Sequence, residues 1–213
     1  MFLHFTEDSY EKALIGLFQS MGYEYAYGPD IERNYQEPYY LNQVWASLPI
    51  VNPSKHQNAI AEAIKKLTNI DSGDLAQKNG IFMDYLQNGI PVAYHDGKEI
   101  RHDIVYLIDY ENTHRNTFQI INQWTYVEKS EKRADLIVFV NGLPLVLIEL
   151  KSPSREETDA SAAYRQIKNY MFEIPSMFTY NAFCVMSDMM CSKAGTITSS
   201  EDRFMEWKTK DGS

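Results

Sequence analysis

The sequence predicts a mixed α/β (α+β) fold in which a central mixed β-sheet is flanked by helices. Three observations predict it: amphipathic helices occur within about the first 90 residues, strand-like segments follow, and a helix then precedes one more apolar strand. The 213 residues are 44% hydrophobic, which suits one large globular domain over 1–213 that can bury a sizeable core. No apolar run approaches the ~20 residues that cross a bilayer.

The first predicted helix covers residues 6–22. Thr6 is a good N-cap, apolar residues recur at helical spacing, and Gly22 provides a C-terminal stop. Residues 23–51 are rich in Tyr and Pro and carry no clear pattern. The N-terminal part therefore begins with one well-defined helix and an unassigned stretch.

Two further helices complete this part, 1–90. Residues 54–67 are amphipathic, and Ser54 after a proline is the expected cap. Residues 72–88 form the third helix, capped by Ser72 or Asp74.

The next part, 91–190, has alternating or apolar segments separated by turn residues, which predicts strands. A helix before a proline interrupts them. These segments are IPVAYH, EIRHDIVYLID, FQIINQWTYVE, the hairpin RADLIVFVNGLPLVLIELKSP, the helix TDASAAYRQIKNYMFE and the strand NAFCVMSD.

The hairpin, residues 133–153, carries charges at the ends of two apolar strands. Its Asn141-Gly142 turn brings the ends together, so Asp135 lies near Glu149. Glu149 and Lys151, two apart on one strand, leave the same face. An apolar strand often ends in charged residues where it reaches solvent, so Glu149-Leu150-Lys151 alone is weak evidence for a catalytic site. The presence of Asp135 on the partner strand strengthens that evidence.

The register of this hairpin poses a difficulty. A strict two-residue turn at Asn141-Gly142 places Asp135 opposite Ile148, which leaves Glu149 on the other face. Pro144 cannot donate a ladder hydrogen bond, and bulges resolve such conflicts. We therefore predict a wider turn or a bulge near Leu143-Pro144.

Two adjacent carboxylates need either a shared proton or a cation. Hard oxygen ligands favour Mg²⁺, or Mn²⁺, and a nearby lysine can stabilise negative charge on a phosphate. The set of Asp135, Glu149, Lys151 and a metal ion is thus suited to phosphodiester hydrolysis.

The helix after the hairpin carries polar residues that could join this site. Gln166 and Tyr170 are four apart and share a face, with Arg165 and Lys168 nearby. The structural alternative is a solvated helix face.

These residues resemble the PD-(D/E)xK nuclease superfamily, in its RecB-like branch. The motifs are Asp135, Glu149-Leu150-Lys151 and Gln166-x-x-x-Tyr170. FVNGLPLVLIELKSP, with YLIDYENTHRNTFQIINQWT and QIKNYMFEIPSMFTYNAFCVMSD, more narrowly resembles the N-terminal nuclease domain of the R (motor) subunit of type I restriction enzymes. The similarity spans nearly the whole chain.

The resemblance implies a restriction-endonuclease-like core and a role for each matching residue. Asp135, Glu149 and the Leu150 backbone carbonyl would bind Mg²⁺ or Mn²⁺, and Lys151 would assist catalysis. The helical Gln166 and Tyr170, with Arg165 and Lys168, would contact DNA or support the site. The family also places a glutamate of the first helix at the active site, and Glu11 is the best match, with Glu7 as the second candidate. The alternative is that these glutamates are ordinary acidic residues near a helix N-terminus, where the helix dipole favours negative charge.

The resemblance also implies partners. Double-stranded DNA would be the substrate, and methylation and specificity subunits would belong to the parent complex. The chain has no GxxxxGK[ST], so ATP would be used by motor domains of the full-length parent, with 191–213 beginning the linker to them. A formal net charge of −9 argues that other components deliver the DNA.

Two cysteines in a long chain and no secretory signal favour a cytoplasmic protein. Two alternatives remain open. One is a stand-alone RecB-like repair or defence nuclease, and the other is a catalytically silent docking domain of the same fold.

Overall fold

The computed structural model describes residues 6–71, 73–151, 160–188 and 191–206. Three predictions lie partly or wholly outside these ranges: the Ser72 cap, the start of the helix expected over 158–173, and the end of the chain after residue 206. Among the described residues, no helix combines the length and apolar character needed to cross a membrane.

Helices open the chain, as predicted. Thr6 caps the first of them in a capping box with Ser9, and Asp74 does the same with Gln77 at the start of another. Within the described residues the α-helices are α1 (Glu7–Ser20), α2 (Leu41–Val51), α3 (Gln57–Thr68), α4 (Leu75–Asn88), α5 (Ala160–Glu173) and α6 (Pro175–Thr179).

Two helical details differ from expectation. Ser54 does not cap α3; the helix begins at Gln57, and the His56 Nδ1 accepts from the Asn58 N–H at 3.1 Å. The unassigned stretch contains α2, which has Pro49 inside it and no side-chain cap. Packing against the rest of the core stabilises α2, because Val44 and Leu48 are fully buried.

The described strands form two sheets. The larger has seven strands in the order β1-β4-β5-β6-β7-β8-β9, and the smaller pairs β2 with β3. The bounds are β1 (Glu24–Tyr27), β2 (Ile90–His95), β3 (Ile100–Val105), β4 (Phe118–Val127), β5 (Glu131–Val140), β6 (Leu143–Leu150), β7 (Phe183–Ser187), β8 (Ser192–Gly195) and β9 (Met205–Glu206).

The large sheet is mixed, as predicted, with β5 and β6 near its middle. Strand β1 is parallel to β4 and β6 is parallel to β7, whereas the other neighbours are antiparallel. Strands β2 and β3 pair only with each other, not with this sheet. Strands β8 and β9 extend the sheet within the stretch expected to begin a linker.

Helices cover both faces of the large sheet. Ile15 of α1 packs with Leu136 and Ile148 on one face. On the other face, Ile167 of α5 packs with Ile137 and other buried residues of β4–β7. A third cluster joins α2, α3 and α4 to the small sheet and to the turn end of the β5–β6 hairpin. This architecture is a restriction-endonuclease-like fold, as the resemblance implied.

The hairpin contains the predicted bulge. Asn141 and Gly142 both have positive φ values, 53° and 83°, as a two-residue type I′ turn requires. Val140 pairs with Leu143 and Phe139 with Pro144, but Val138 then pairs with Val146, so Leu145 is the extra residue. The shifted register continues to Leu136 opposite Ile148.

Candidate active site

The register shift brings the two hairpin carboxylates together. Asp135 and Glu149 each lie one residue beyond the last pair of the ladder, Leu136 and Ile148. The Asp135 Oδ2 accepts a hydrogen bond from the Leu150 backbone N–H at 2.9 Å. This bond fixes the Asp135 carboxylate against the strand that carries Glu149.

Lys151 is paired directly with Glu149. Its Nζ lies 2.6 Å from the Glu149 Oε1, and its backbone N–H donates to the Ser187 carbonyl at 2.9 Å. The Glu149 side chain is only 3% exposed and that of Lys151 is 20% exposed. The other Glu149 oxygen, Oε2, is buried and has no hydrogen-bond partner among the described residues.

Burial and mutual repulsion make the carboxylates hard to ionise. Burial raises the pKa of Asp135 to about 6, although the Leu150 N–H and Lys151 oppose the rise. Burial and then the Asp135 charge raise the pKa of Glu149 to about 7. Burial acts to lower the pKa of Lys151, but Glu149 and Asp135 outweigh it and raise that pKa, so the lysine is a cation at neutral pH.

Two carboxylates of helix α1 act electrostatically on this group. Glu11 accepts hydrogen bonds from Asn122 and Gln123 of β4, and its charge raises the pKa of Asp135. Exposed Glu7, one turn earlier, raises the pKa of both Asp135 and Glu149. The two candidate helix glutamates therefore both act on the hairpin pair, and Glu11 is the one held by hydrogen bonds.

Helix α5, on the opposite face of the sheet from α1, contributes Gln166 and Tyr170. Tyr170 is buried, its hydroxyl donates to the Arg133 carbonyl at 3.1 Å, and it is also hydrogen-bonded to Gln166. Burial and then the Glu149 charge raise the pKa of Tyr170. Tyr170 is thus tied to β5 by a hydrogen bond and lies within electrostatic range of Glu149 and Asp135.

The two basic residues of α5 lie apart from this cluster. The Lys168 Nζ donates to the Ile197 carbonyl at 3.1 Å and lies 5.4 Å from the centre of the Tyr164 ring. Arg165 is exposed. The structure brings neither into contact with Asp135 or Glu149.

Sequence reasoning missed Asn122 and Gln123. Gln123 has φ 53°, a left-handed conformation that costs a non-glycine residue about 1–3 kcal/mol. Its position within a strand-like run, FQIINQWTYVE, carried no signal of this irregularity.

The donor set fits a hard divalent cation. Asp135 and Glu149 offer carboxylate oxygens, one of them the unpartnered Glu149 Oε2, and a cation would offset the repulsion that raises both pKa values. No group of three or more His, Cys, Asp and Glu side chains suited to a metal occurs among the described residues. Mg²⁺ commonly uses one or two carboxylates and keeps several waters, so two are enough.

These features define a restriction-endonuclease-like protein with two carboxylates and a lysine at the end of its central hairpin. The profile of the family described as "Type I restriction enzyme R protein N terminus" matches residues 4–203. The chain belongs to this family.

Relatives agree with this assignment. The chain is 33% identical over 216 residues to the type I restriction enzyme HindI endonuclease subunit of Haemophilus influenzae, a match covering 97% of the chain and 20% of the relative. It is 32% identical over 208 residues to the putative type I restriction enzyme MjaIXP endonuclease subunit of Methanocaldococcus jannaschii, a match covering 93% of the chain and 20% of the relative. The chain thus spans about a fifth of the length of these relatives.

Proposed function

We propose that the chain is the Mg²⁺-dependent DNA endonuclease domain of a type I restriction enzyme R subunit, and that it hydrolyses phosphodiester bonds. The observation that carries the proposal is the cluster of Asp135, Glu149 and Lys151 at the end of the bulged hairpin, in which Glu149 is buried, Asp135 is half-buried and the lysine Nζ is 2.6 Å from the Glu149 Oε1. A buried cluster with perturbed pKa values is typical of a functional site. The family and its relatives, named endonuclease subunits, support the same reaction.

Each residue has a distinct role in this proposal. Asp135, Glu149 and the Leu150 backbone carbonyl would hold Mg²⁺, or Mn²⁺ in its place. When bound, the ion supplies Lewis acidity toward a phosphate oxygen and lowers the pKa of a coordinated water. Lys151, held as a cation by Glu149, stabilises the negative charge that develops on the phosphate. Tyr170 keeps the end of β5 in place through the Arg133 carbonyl.

Electrostatics argue that the chain does not capture DNA unaided. Its formal net charge is −9, whereas contact with DNA phosphates draws on Lys and Arg. Exposed Arg165 and the neighbouring Lys168 are the residues of α5 that we assign to phosphate contact, with Lys168 released from the Ile197 carbonyl.

Within the parent complex, ATP-driven motor domains would bring nonspecific double-stranded DNA to this site. Methylation and specificity subunits would choose the recognition sequence, and the complex would work in the cytoplasm. The greater length of the HindI and MjaIXP relatives leaves room for such motor domains in those proteins.

The test is cleavage by the assembled enzyme carrying Asp135→Ala or Lys151→Ala. We expect both changes to abolish cleavage while ATP-driven translocation continues, since neither residue belongs to a motor. Lys55→Ala is the matched control, because Lys55 forms a comparable half-buried pair with Asp103 beside the small sheet. Its cleavage should equal that of the wild type.

Cleavage that persists in both site variants would contradict the proposal and favour a silent docking domain. Efficient plasmid cleavage by the purified chain with Mg²⁺ alone would instead favour the stand-alone nuclease. We expect only weak cleavage by the purified chain, because its charge repels DNA.

A further inference from the structure

We propose that Asn122 and Gln123 are positioning residues that hold the Glu11 carboxylate at the site of Asp135 and Glu149. This inference rests on the proposed function, and it identifies a part of the site that lies on β4 rather than on the hairpin. Neither amide touches the hairpin carboxylates in the bonds described; both act through Glu11.

Each oxygen of the Glu11 carboxylate accepts a hydrogen bond from a different amide. The Asn122 Nδ2 donates to the Glu11 Oε1 at 2.6 Å, and the Gln123 Nε2 donates to the Glu11 Oε2 at 3.0 Å. Two donors from a strand fix both the position and the rotation of the carboxylate, which a single bond would leave free to turn. Glu11 is thereby oriented on a helix whose first two residues, Glu7 and Asp8, are exposed.

The backbone of β4 departs from regular strand geometry to make this possible. Consecutive residues of a regular strand point to opposite faces, yet the amides of Asn122 and Gln123 reach the same carboxylate. Gln123 has φ 53°, and the ladder with β5 pairs Asn122 with Leu136 and Trp124 with Ala134 while skipping Gln123. The residue of β5 that would face Gln123 is Asp135 itself.

Neighbouring residues reinforce this arrangement. The Tyr25 hydroxyl donates to the Asn122 Oδ1 at 3.1 Å, which orients the amide so that its Nδ2 faces Glu11. Gly28 packs closely against the irregular backbone of β4. A Cβ at this position would lie 2.7 Å from the Asn122 carbonyl oxygen, so only glycine fits. Strand β1 and the turn after it thus support the two amides from the far side.

A simpler role for the amides would be to tie α1 to the sheet. A tether does not require a left-handed glutamine, since an unstrained polar residue of a regular strand could bond to the helix. A left-handed glutamine opposite Asp135, inside a strand and not in a turn, points to a function at that place. The two roles predict different effects of one substitution on stability and on metal affinity.

The discriminating variant is Gln123→Gly in the 213-residue chain. Glycine adopts the positive φ without strain, so relief of strain offsets the lost hydrogen bond and the thermal midpoint should stay close to that of the wild type. Mn²⁺ affinity, measured by isothermal titration calorimetry, should fall about tenfold, as is usual when a residue supporting a metal site is lost.

The control is Asn141→Gly, at the second non-glycine residue with φ 53° among those that the structure describes. Asn141 is fully buried in the hairpin turn, and its side chain bonds to Thr117, Leu107 and Asn116. This variant should unfold at a lower temperature and bind Mn²⁺ with unchanged affinity.

A double-mutant cycle shows whether Gln123 acts through Glu11. Glu11→Gln should lower Mn²⁺ affinity, and adding Gln123→Gly to it should lower the affinity no further. Two results would overturn the inference: a lower midpoint with unchanged Mn²⁺ affinity in Gln123→Gly, or an equal additional loss in the Glu11→Gln background.

Asp135→Ala separates this inference from the proposed function. If that variant binds Mn²⁺ as tightly as the wild type, the metal site itself is wrong. If Asp135→Ala loses Mn²⁺ binding while Gln123→Gly retains it, the result supports the proposed function and contradicts the positioning role of Gln123.

Discussion

Replacing Glu149 with glutamine should stabilise the metal-free protein at alkaline pH. The Glu149 side chain is 3% exposed, and burial and the Asp135 charge raise its pKa from 4.5 to about 7, with the opposing effect of Lys151 already included. At about 1.4 kcal/mol for each tenfold change in proton affinity, this difference corresponds to about 3 kcal/mol. Because ionisation costs the folded state this free energy, Glu149→Gln removes the cost.

The sign of the pH dependence follows from the direction of the pKa change. The folded protein binds this proton more tightly than the unfolded chain, so wild-type stability falls as pH rises from about 4.5 and the loss is complete above about 7. Glu149→Gln should therefore be more stable by about 2–3 kcal/mol at pH 8 and close to the wild type at pH 4.5.

Urea denaturation with EDTA at both pH values measures this difference. Glu131→Gln, which changes an exposed glutamate at the start of β5, is the control and should leave stability unchanged at either pH. The reasoning is refuted if Glu149→Gln is less stable than the wild type at pH 8, or if its gain is the same at pH 4.5.

Two further predictions concern the frame of the site. Gly142→Ala should lower the free energy of unfolding by more than about 1 kcal/mol, because φ is 83° and the new Cβ would lie 2.6 Å from the Tyr40 carbonyl oxygen. The control Gly80→Ala lies in open space on α4 and should raise the free energy of unfolding. Thermal unfolding of the two variants measures the difference. Tyr170→Phe should cost about 1 kcal/mol in urea denaturation through the lost bond to the Arg133 carbonyl, and an unchanged midpoint would contradict that.

Local sequence signals predicted the parts of the fold that local chemistry determines. Thr6 and Asp74 cap helices because their side-chain oxygens satisfy free N–H groups of the first turn. The Asn141-Gly142 turn indicated that Asp135 and Glu149 lie close together. Because a regular turn would place them on opposite faces of the sheet, a shared site required an irregularity near Leu143-Pro144, and the extra residue is Leu145.

Features that depend on distant contacts could not be predicted in the same way. Helix α2 has no side-chain cap and contains Pro49, and its Tyr40 N–H donates to the Gly142 carbonyl of the hairpin turn at 2.8 Å. The left-handed Gln123 donates to Glu11, more than a hundred residues earlier in the chain. No local sequence pattern predicts either of these contacts.

The central claim is that Asp135 and Glu149 together hold a divalent cation. Crystals of the chain soaked in Mn²⁺ and measured at the manganese absorption edge test it most directly, since the anomalous signal locates the ion. We predict one strong peak about 2 Å from carboxylate oxygens of Asp135 and Glu149 and from the Leu150 carbonyl oxygen, which is the usual length of such bonds. A peak elsewhere, or none at saturating Mn²⁺, would contradict the claim.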